Sequence, residues 1–450
     1  MPLLREVHGG AVDIGLLANY SGIIKLKIAL GQGITAQSQP LLRSCKLPRR
    51  RRIVLCTKGV PDEREGASLV IIHSFLQGIR AQSFDILHLI LLDEGEKDQK
   101  AFEAYRGAVA DEHFEVMAES TGQLVIQGAS KHRIDFSRAA KLIERGREFA
   151  ADLFIAFDVL PAWIGLEIPA TRKLAWLGDL NFQTTYYHGF YSLQERPWRI
   201  FNFAKYWLAA RNWKDVYAHV LSFYDEVIVS AASSEDQLSR LGLRNHQYCP
   251  YPWPVIDAPA SCRAKPSIPT FMFFGNLVGL GSRSALHFMV SKVYGPLLKI
   301  WGPRGFKILL AGRGNLPEWF AEAIKDKPEF VRVGFVENLP STLAECHAAL
   351  VPIDVPVGNR TRILYALSQS TLVIAHENVA LGNVALVDGQ TCGLAASGGE
   401  FVARMKRAVD DPLWARRVAE SGCRVYKQFF SPENATAEFI ARINRLSSAA

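Results

Sequence analysis

Two short segments in the second half of the sequence combine glycine with arginine in a way that suits a phosphate group. The first, residues 275–283 (Gly-Asn-Leu-Val-Gly-Leu-Gly-Ser-Arg), follows a predicted strand and precedes a predicted helix over 285–293. Glycine lets backbone N–H groups approach an anion, a helix N-terminus adds partial positive charge, and Arg283 adds a full charge. A plain glycine-rich turn explains these residues equally well. Gly275 and Asn276 are the candidate contact residues.

The second segment, residues 357–362 (Val-Gly-Asn-Arg-Thr-Arg), also precedes a predicted helix. Gly358 can free the helix N-terminus for close approach, and Arg360 and Arg362 supply cations beside it. Cations are disfavoured at a helix N-terminus by the helix dipole, so two solvated arginines are the less favoured interpretation. We therefore predict an anion site here, with Thr361 in the first turn, and a diphosphate is the ligand it suits best.

Further candidates lie where other predicted strands end. Gly312 and Gly334 each end a strand and can let a base or a ribose lie against the backbone, although ordinary turns with positive φ explain them as well. In the first half, Asp158 and Asp179 follow two predicted strands directly. Because open α/β sheets bind ligands at the carboxyl ends of their strands, both carboxylates are expected to face a cleft.

The elements that must position these residues are short apolar strands separated by longer helical patterns. Near-continuous apolar strands with helices between them predict parallel sheets covered on both faces. The predicted strands are 53–57, 86–92, 153–157, 173–177, 226–230, 270–274, 306–311, 330–333, 348–352 and 371–375. We therefore predict an α/β protein with two doubly wound, Rossmann-like domains facing a cleft.

Six prolines between residues 250 and 269 mark the boundary between the two domains, because proline at this density ends regular structure and stiffens a linker. The chain of 450 residues is too long for one ordinary core. The predicted parts are a basic N-terminal arm over 1–51, a first domain over 52–249, a hinge over 250–269, a second domain over 270–430, and a C-terminal helix over 431–450 that can cross back.

The formal net charge of +8 is concentrated at the N-terminus. The first 52 residues hold nine basic and two acidic side chains, a net +7, so the rest of the chain is nearly neutral. This distribution argues against a nucleic-acid partner and suits contact between the arm and an anionic membrane surface.

Other sequence features limit the compartment and the metal content. No apolar run reaches the ~18 residues that span a bilayer. Seven scattered cysteines without C-x-x-C spacing favour a reducing compartment and no zinc site. The single histidines lack the spacing of metal ligands. We predict a cytoplasmic protein, without a metal site, that can lie on the inner face of the membrane.

The order of the strand-end motifs resembles the group 1 (family 4) glycosyltransferases of GT-B fold, over roughly residues 52–435. The motifs are Phe-Gly-Asn at 274–276, Ala-Gly-Arg-Gly at 311–314, Val-Gly-Phe-Val at 333–336, Gly-Asn-Arg-Thr-Arg-Ile-Leu-Tyr-Ala-Leu at 358–367 and Val-Asp-Gly-Gln-Thr-Cys-Gly-Leu at 387–394. The resemblance implies sugar transfer from a nucleotide-sugar donor to a glycan or lipid-linked acceptor in polysaccharide biosynthesis. It also implies retention of configuration, no catalytic metal, and no cofactor besides the donor substrate.

The resemblance further implies roles for individual residues. Donor contacts would come from Gly275, Asn276, Gly312, Gly334, Gly358, Arg360, Thr361 and Glu377, and acceptor contacts from Gly66, Ser68 and Asp158. Arg283 and Arg362 would stabilise the departing diphosphate. Asp179, near the family's usual His-Asp pair, is the candidate for orienting the acceptor or assisting its deprotonation. An aspartate that caps a loop is the plain alternative.

The sequence departs from the family where charge is usual. Two glutamates eight positions apart are Val357 and Tyr365 here, and an Arg and a Lys after the first glycine strand are Asn276 and Gly281. The residues that can replace these charges are Arg283, Arg362 and Glu377. Two alternatives therefore stay open: a non-catalytic GT-B-fold binding or scaffold protein, and a sugar-nucleotide epimerase of the same architecture.

Residues 182–217 are rich in aromatic side chains with basic residues between them. This mixture suits stacking against sugars, a lipid interface or single-stranded nucleic acid. Helical core packing alone explains residues 206–220. We favour an acceptor-side insertion, with membrane contact as the second hypothesis.

Overall fold

The computed structural model describes residues 49–121, 135–255 and 264–448, apart from residues 65, 94, 197, 199 and 359. The basic arm predicted over 1–51 lies almost entirely outside the described residues, as does the middle of the proline-rich hinge. Residues 50–450 form one compact unit.

A parallel sheet of seven strands forms the first half of this unit. The strands are β1 (Arg51–Lys58), β2 (Phe84–Leu92), β3 (Phe114–Ser120), β4 (Ala151–Phe157), β5 (Ala170–Leu177), β6 (Glu226–Val229) and β7 (His246–Tyr248). Their order across the sheet is β3-β2-β1-β4-β5-β6-β7. The helices are α1 (Ala67–Arg80), α2 (Glu96–Val109), α3 (Ala140–Phe149, after a 3₁₀ turn at Ser137–Ala139), α4 (Val159–Ile164), α5 (Asn181–Glu195), α6 (Ile200–Leu221) and α7 (Ser233–Ser239).

A second parallel sheet, of six strands in the order β10-β9-β8-β11-β12-β13, forms the other half. The strands are β8 (Thr270–Phe274), β9 (Lys307–Ala311), β10 (Phe330–Gly334), β11 (Ala348–Val351), β12 (Val373–His376) and β13 (Gly393–Ala395). The helices are α8 (Leu280–Phe288), α9 (Tyr294–Trp301), α10 (Glu318–Ile324), α11 (Leu339–Glu345), α12 (Thr361–Ser368), α13 (Gly398–Asp410), α14 (Pro412–Val425) and α15 (Pro432–Ser448). The shorter helical turns are Met289–Val293, Glu377–Val379 and Tyr426–Phe430.

This arrangement confirms the predicted fold class of two doubly wound, Rossmann-like halves. Three strands, β3, β7 and β13, have no counterpart among the predicted ones. All three lie at or beside a sheet edge, and β7 contains no buried residue. An edge strand is covered less completely than a central one, so it lacks the continuous apolar run that identifies buried strands.

The first strand begins earlier than the apolar pattern predicts, and it takes in arginines of the basic run. Arg51 is the first residue of β1. The Arg52 N–H donates to the Asp152 carboxylate (2.8 Å), and the Arg52 guanidinium lies 4.4 Å from the centre of the Phe149 ring. These two cations therefore have partners in the first sheet and do not belong to the arm.

Helix α15 leaves the second half and packs on α1 of the first half. The Phe439 ring lies 4.3 Å from the ring of Phe75. A Cβ atom on Gly78 would lie 2.0 Å from the Thr436 side chain, so the two helices approach closely through a glycine. Arg442 on α15 binds the Glu226 carboxylate at the start of β6 (2.7 Å). A hydrophobic cluster consequently runs through both halves without interruption.

Within the ranges that the structure describes, no helix has the length and apolar character needed to cross a membrane.

Candidate functional site

The carboxyl ends of the two sheets meet at a shared cleft. Asp179, after β5, lies 3.9 Å from the Arg360 guanidinium before α12. Nearby, the Ala232 and Ser233 N–H groups after β6 donate to carbonyls of the loop after β12, at 3.1 and 2.8 Å. The predicted cleft is therefore bridged by direct contacts between the two halves.

Gly358 allows the closest of these contacts. Its φ of +66° lies in the left-handed region, and a Cβ atom there would lie only 1.7 Å from Asp179 Oδ1. No larger residue fits this position without moving the carboxylate. Sequence analysis placed Gly358 on the donor side and Asp179 on the acceptor side, and the structure brings the two together.

The structure also brings together the two glycine-containing segments. A Cβ atom on Gly275 would lie 3.5 Å from Arg362 Nη2, and one on Gly281 would lie 3.4 Å from Arg360 Nη1. The start of α8 and the start of α12 therefore lie side by side, with both guanidinium groups between them. Thr361 is the first residue of α12 and is half-buried at this point.

Arg362 has the features of a cation that awaits an anion. Its Nη2 donates to Ser282 Oγ (2.8 Å), and its guanidinium lies 4.7 Å from the centre of the Phe273 ring. Its Nη1 is buried and has no hydrogen-bond partner among the residues that the structure describes. Burial, and then the neighbouring charge of Arg360, lower the pKa of Arg362 to about 9. A negatively charged ligand would relieve both effects.

Arg360 lies deeper, with only 10% of its side chain exposed. Burial lowers its pKa, and the carboxylate of Asp179 opposes that shift. Asp179 itself is 43% exposed to the cleft. Burial raises the pKa of Asp179 and Arg360 lowers it, with an upward net direction. Two cations and one carboxylate thus share the floor of the cleft.

The three glycines at the ends of β8, β9 and β10 stand next to one another. The Gly275 N–H donates to the Ala311 carbonyl (3.0 Å), and the Gly312 N–H donates to the Gly334 carbonyl (2.8 Å). A Cβ atom on Gly312 would lie 2.1 Å from the Gly275 carbonyl oxygen. Asn276 is exposed, and its side chain accepts the Val278 N–H (3.0 Å), which stabilises the turn. Close packing at this edge therefore contributes to the need for glycine.

Arg283 is held away from the other two arginines. Its guanidinium makes two bonds of 2.5 Å with the carboxylate of Glu195, at the end of α5. His287 also contacts Glu195 (3.3 Å). Burial raises and Arg283 lowers the pKa of Glu195, with a downward net direction. The positive charge that the sequence assigned to a phosphate is thus matched here by a carboxylate.

Asp354 is a site residue that sequence analysis missed. Its Oδ1 accepts the Tyr191 hydroxyl of α5 (2.9 Å) and the Ser284 hydroxyl of α8. The Asn378 side chain donates to its carbonyl. Asp354 follows β11 just as Asp158 and Asp179 follow their strands, so the same signal identifies it.

Glu377, the proposed replacement carboxylate, is exposed in the 3₁₀ turn after β12. Its neighbour Asn378 makes the contact with Asp354. The positions of the family's glutamates hold apolar contacts: Val357 is buried, and the Tyr365 ring packs 5.8 Å from that of Phe274.

On the acceptor side, Asp158 has an unusual backbone. Its φ of +87° and ψ of 165° are rare for a residue with a side chain, and Oδ1 accepts its own neighbour's N–H, that of Val159 (2.6 Å). Backbone strain of this kind costs about 1–3 kcal/mol and clusters at functional sites. Burial raises the pKa of Asp158, with Lys58 opposing.

Gly66 and Ser68 are exposed at the start of α1, which follows β1. Within the described part of the chain, no hydrogen bond or ion pair joins them to Asp158 or Asp179. The same described residues contain no group of three or more His, Cys, Asp or Glu side chains suited to hold a metal ion.

Two Rossmann-like halves with ligand groups at their facing strand ends define the GT-B class. The fold is similar to sucrose-phosphate synthase of Thermosynechococcus elongatus (TM-score 0.62, 17% identity, 89% of this chain and all of that one). It is also similar to Anabaena HepE in complex with UDP-glucose (0.60, 12%, 87% and 99%). A third similar structure is S. aureus TarM in complex with fondaparinux, α-GlcNAc-glycerol and UDP (0.58, 10%, 88% and 99%).

Residues 268–411 match the family of group 1 glycosyl transferases. The second half is therefore a group 1 glycosyltransferase domain, and the chain is a glycosyltransferase of GT-B fold. This confirms the resemblance seen in the sequence and the predicted enzyme class. A comparison with proteins of curated function finds no match.

Proposed function

We propose that this protein transfers a sugar, with retention of configuration and without a metal cofactor, from a nucleoside diphosphate sugar to a hydroxyl group of a glycan or lipid-linked acceptor. The observation that carries the proposal is the buried, incompletely paired guanidinium of Arg362 between the starts of α8 and α12. The HepE and TarM structures contain UDP, which supports a uridine nucleotide as the first donor class to test.

In the proposed reaction, the bond between the anomeric carbon and the diphosphate oxygen breaks as the acceptor oxygen bonds to the same face of that carbon. Arg360, Arg362 and the N-terminus of α12 stabilise the charge that develops on the departing diphosphate. Gly275, Gly312 and Gly334 leave room for the nucleoside along the strand ends. Retention is the outcome that the resemblance to the group 1 family implies.

Asp179 is the proposed acceptor residue, because its carboxylate stands beside the cations that would hold the diphosphate. There it orients the acceptor hydroxyl or assists its deprotonation. Asp158 positions the acceptor from the neighbouring strand end. The arm, with a net +7 over the first 52 residues, is proposed to meet anionic lipid near a lipid-linked acceptor.

The test is nucleotide binding, measured as the rise in melting temperature over a panel of nucleoside diphosphates and nucleotide sugars. We expect at least one to stabilise the protein and Arg362→Ala to abolish the shift. Arg416→Ala is the matched control, because Arg416 is 76% exposed and pairs only along its own helix among the contacts recorded for it. A panel without any binder, or an unchanged shift in Arg362→Ala, contradicts the proposal.

Two further measurements address the finer points. Transfer that persists in a chelator supports a reaction without metal, and loss that Mg²⁺ or Mn²⁺ restores contradicts it. The anomeric configuration of the first-formed product, read by proton NMR, decides between retention and inversion.

A further inference from the structure

Helix α6 turns apolar side chains towards solvent along its first half. The exposed members are Trp198, Ile200, Phe201, Lys205, Trp207 and Leu208, and we call them the outer face of α6. Phe201 is 81% exposed and Trp198, in the turn before the helix, is 75% exposed. A contiguous exposed group of this kind marks an interaction surface, whereas single exposed apolar residues need no explanation.

The charge around this face is of one sign. Residues 196–214 contain five basic and no acidic side chains. Among the described ones, Arg196, Lys205 and Arg211 are all exposed. Large apolar and aromatic side chains flanked by Lys and Arg are typical of helices that lie in the interface of an anionic bilayer.

A second copy of this chain is a poorer partner for the same face. In a symmetric dimer the face would meet itself, and its basic residues would approach one another without acidic partners. An anionic bilayer supplies both an apolar layer for Phe201 and Trp198 and negative charge for the basic residues.

The second half of α6 connects this face to the cleft. Tyr217 is fully buried, and its hydroxyl accepts the Asn181 N–H (3.1 Å), two residues beyond Asp179. The helix rise of 1.5 Å per residue places Phe201 about 24 Å from Tyr217 along the axis. The outer face is therefore rigidly joined to the acceptor side of the site and lies away from it.

We infer that the outer face of α6 is a docking surface for an anionic lipid bilayer. This surface adds to the proposed function and does not depend on its chemistry, because docking requires neither donor nor acceptor. Failure of one proposal is thus distinguishable from failure of the other.

The test uses the full chain and its own tryptophans. Of the nine tryptophans, Trp198 and Trp207 are the exposed ones, and the first 48 residues contain none. Vesicles of phosphatidylcholine with phosphatidylglycerol, brominated on the acyl chains, quench only tryptophans that enter the bilayer. We expect quenching by these vesicles, weaker quenching without phosphatidylglycerol, and its loss in Trp198→Phe/Trp207→Phe.

Binding is then measured by flotation with Phe201→Ser/Leu208→Ser, which removes two exposed apolar groups and should leave the melting temperature unchanged. We expect at least about a tenfold loss of vesicle affinity, because both groups leave the interface. Leu413→Ser is the control, since Leu413 is 79% exposed at the start of α14, and its affinity should equal that of the unmodified protein.

Three results overturn the inference. The first is an absence of vesicle binding. The second is binding without quenching, which assigns the contact to the basic arm. The third is self-association of the unmodified protein that Phe201→Ser/Leu208→Ser abolishes without an effect on vesicles.

Discussion

Two guanidinium groups that share a buried site repel each other, and only one carboxylate, Asp179, lies between them and the acceptor side. The site is therefore electrostatically incomplete without an anion. This arrangement replaces the family's usual pattern of glutamates, whose positions hold Val357 and Tyr365. Arg360 and Arg362 were predictable because cations before a helix are unfavourable unless a ligand compensates them.

Gly358→Ala tests the contact between Gly358 and Asp179. The new Cβ atom would occupy the position of the carboxylate, so Asp179 must move. We expect turnover to fall about a hundredfold, while nucleoside diphosphate binding is largely retained. Gly389→Ala is the control: its φ of +69° carries the same backbone cost, and nothing lies within 4 Å of its Cβ position. Equal activities of the two variants would refute the role of the contact.

Asp179→Asn tests the charge of the same carboxylate. Because burial raises the pKa of Asp179, the folded state binds its proton more tightly than the unfolded chain. The ionised carboxylate therefore costs stability at neutral pH, and this cost disappears as the pH falls towards 3.8. We expect Asp179→Asn to melt higher than the unmodified protein at neutral pH, by a margin that narrows in acid, and to lose turnover.

Melting curves across the pH range and initial rates check this prediction. Asp225→Asn, on the outer side of the sheet, serves as the control for a general effect of charge. A lower melting temperature for Asp179→Asn at neutral pH would show that its pairing with Arg360 outweighs its burial.

At the scale of the elements, most central strands were predictable because parallel strands buried on both faces are continuous apolar runs. The edge strands β3, β7 and β13 were not. Contacts between elements were hidden as well: Arg283 and Glu195 are 88 residues apart in the chain, and neither residue type indicates the other. Such pairs depend on how α5 and α8 approach, which no local pattern encodes.

The approach of α15 to α1 provides a prediction at this scale. Gly78→Ala places a methyl group 2.0 Å from the Thr436 side chain and should destabilise the protein by about 1–3 kcal/mol. Gly107→Ala, in the exposed part of α2 with nothing within 4 Å, should stabilise it by up to about 1 kcal/mol. Urea denaturation measures both. Similar effects of both substitutions would mean that the helices do not pack through Gly78.

For the molecule as a whole, the continuous hydrophobic cluster predicts that the two halves unfold together. Phe439 on α15 is fully buried against Phe75, Phe157 and the rest of the first-half core. Phe439→Ala should cost about 3–5 kcal/mol and lower the urea midpoint of both halves. Leu413→Ala, at an exposed position, should change stability by less than about 0.5 kcal/mol.

Tryptophans report on each half separately, since Trp176 lies in the first sheet and Trp414 in the second half. We expect one shared transition for both. Two transitions, of which only one moves in Phe439→Ala, would show that the halves are energetically independent.

The crossing of α15 also bears on the order in which the protein matures. Domains generally fold as they leave the ribosome, N-terminal part first. Here Phe75 and Phe157, made early, are covered by Phe439, which is among the last residues to be synthesised. The first sheet therefore waits, with an aromatic surface open to other nascent chains and to chaperones, until translation has ended.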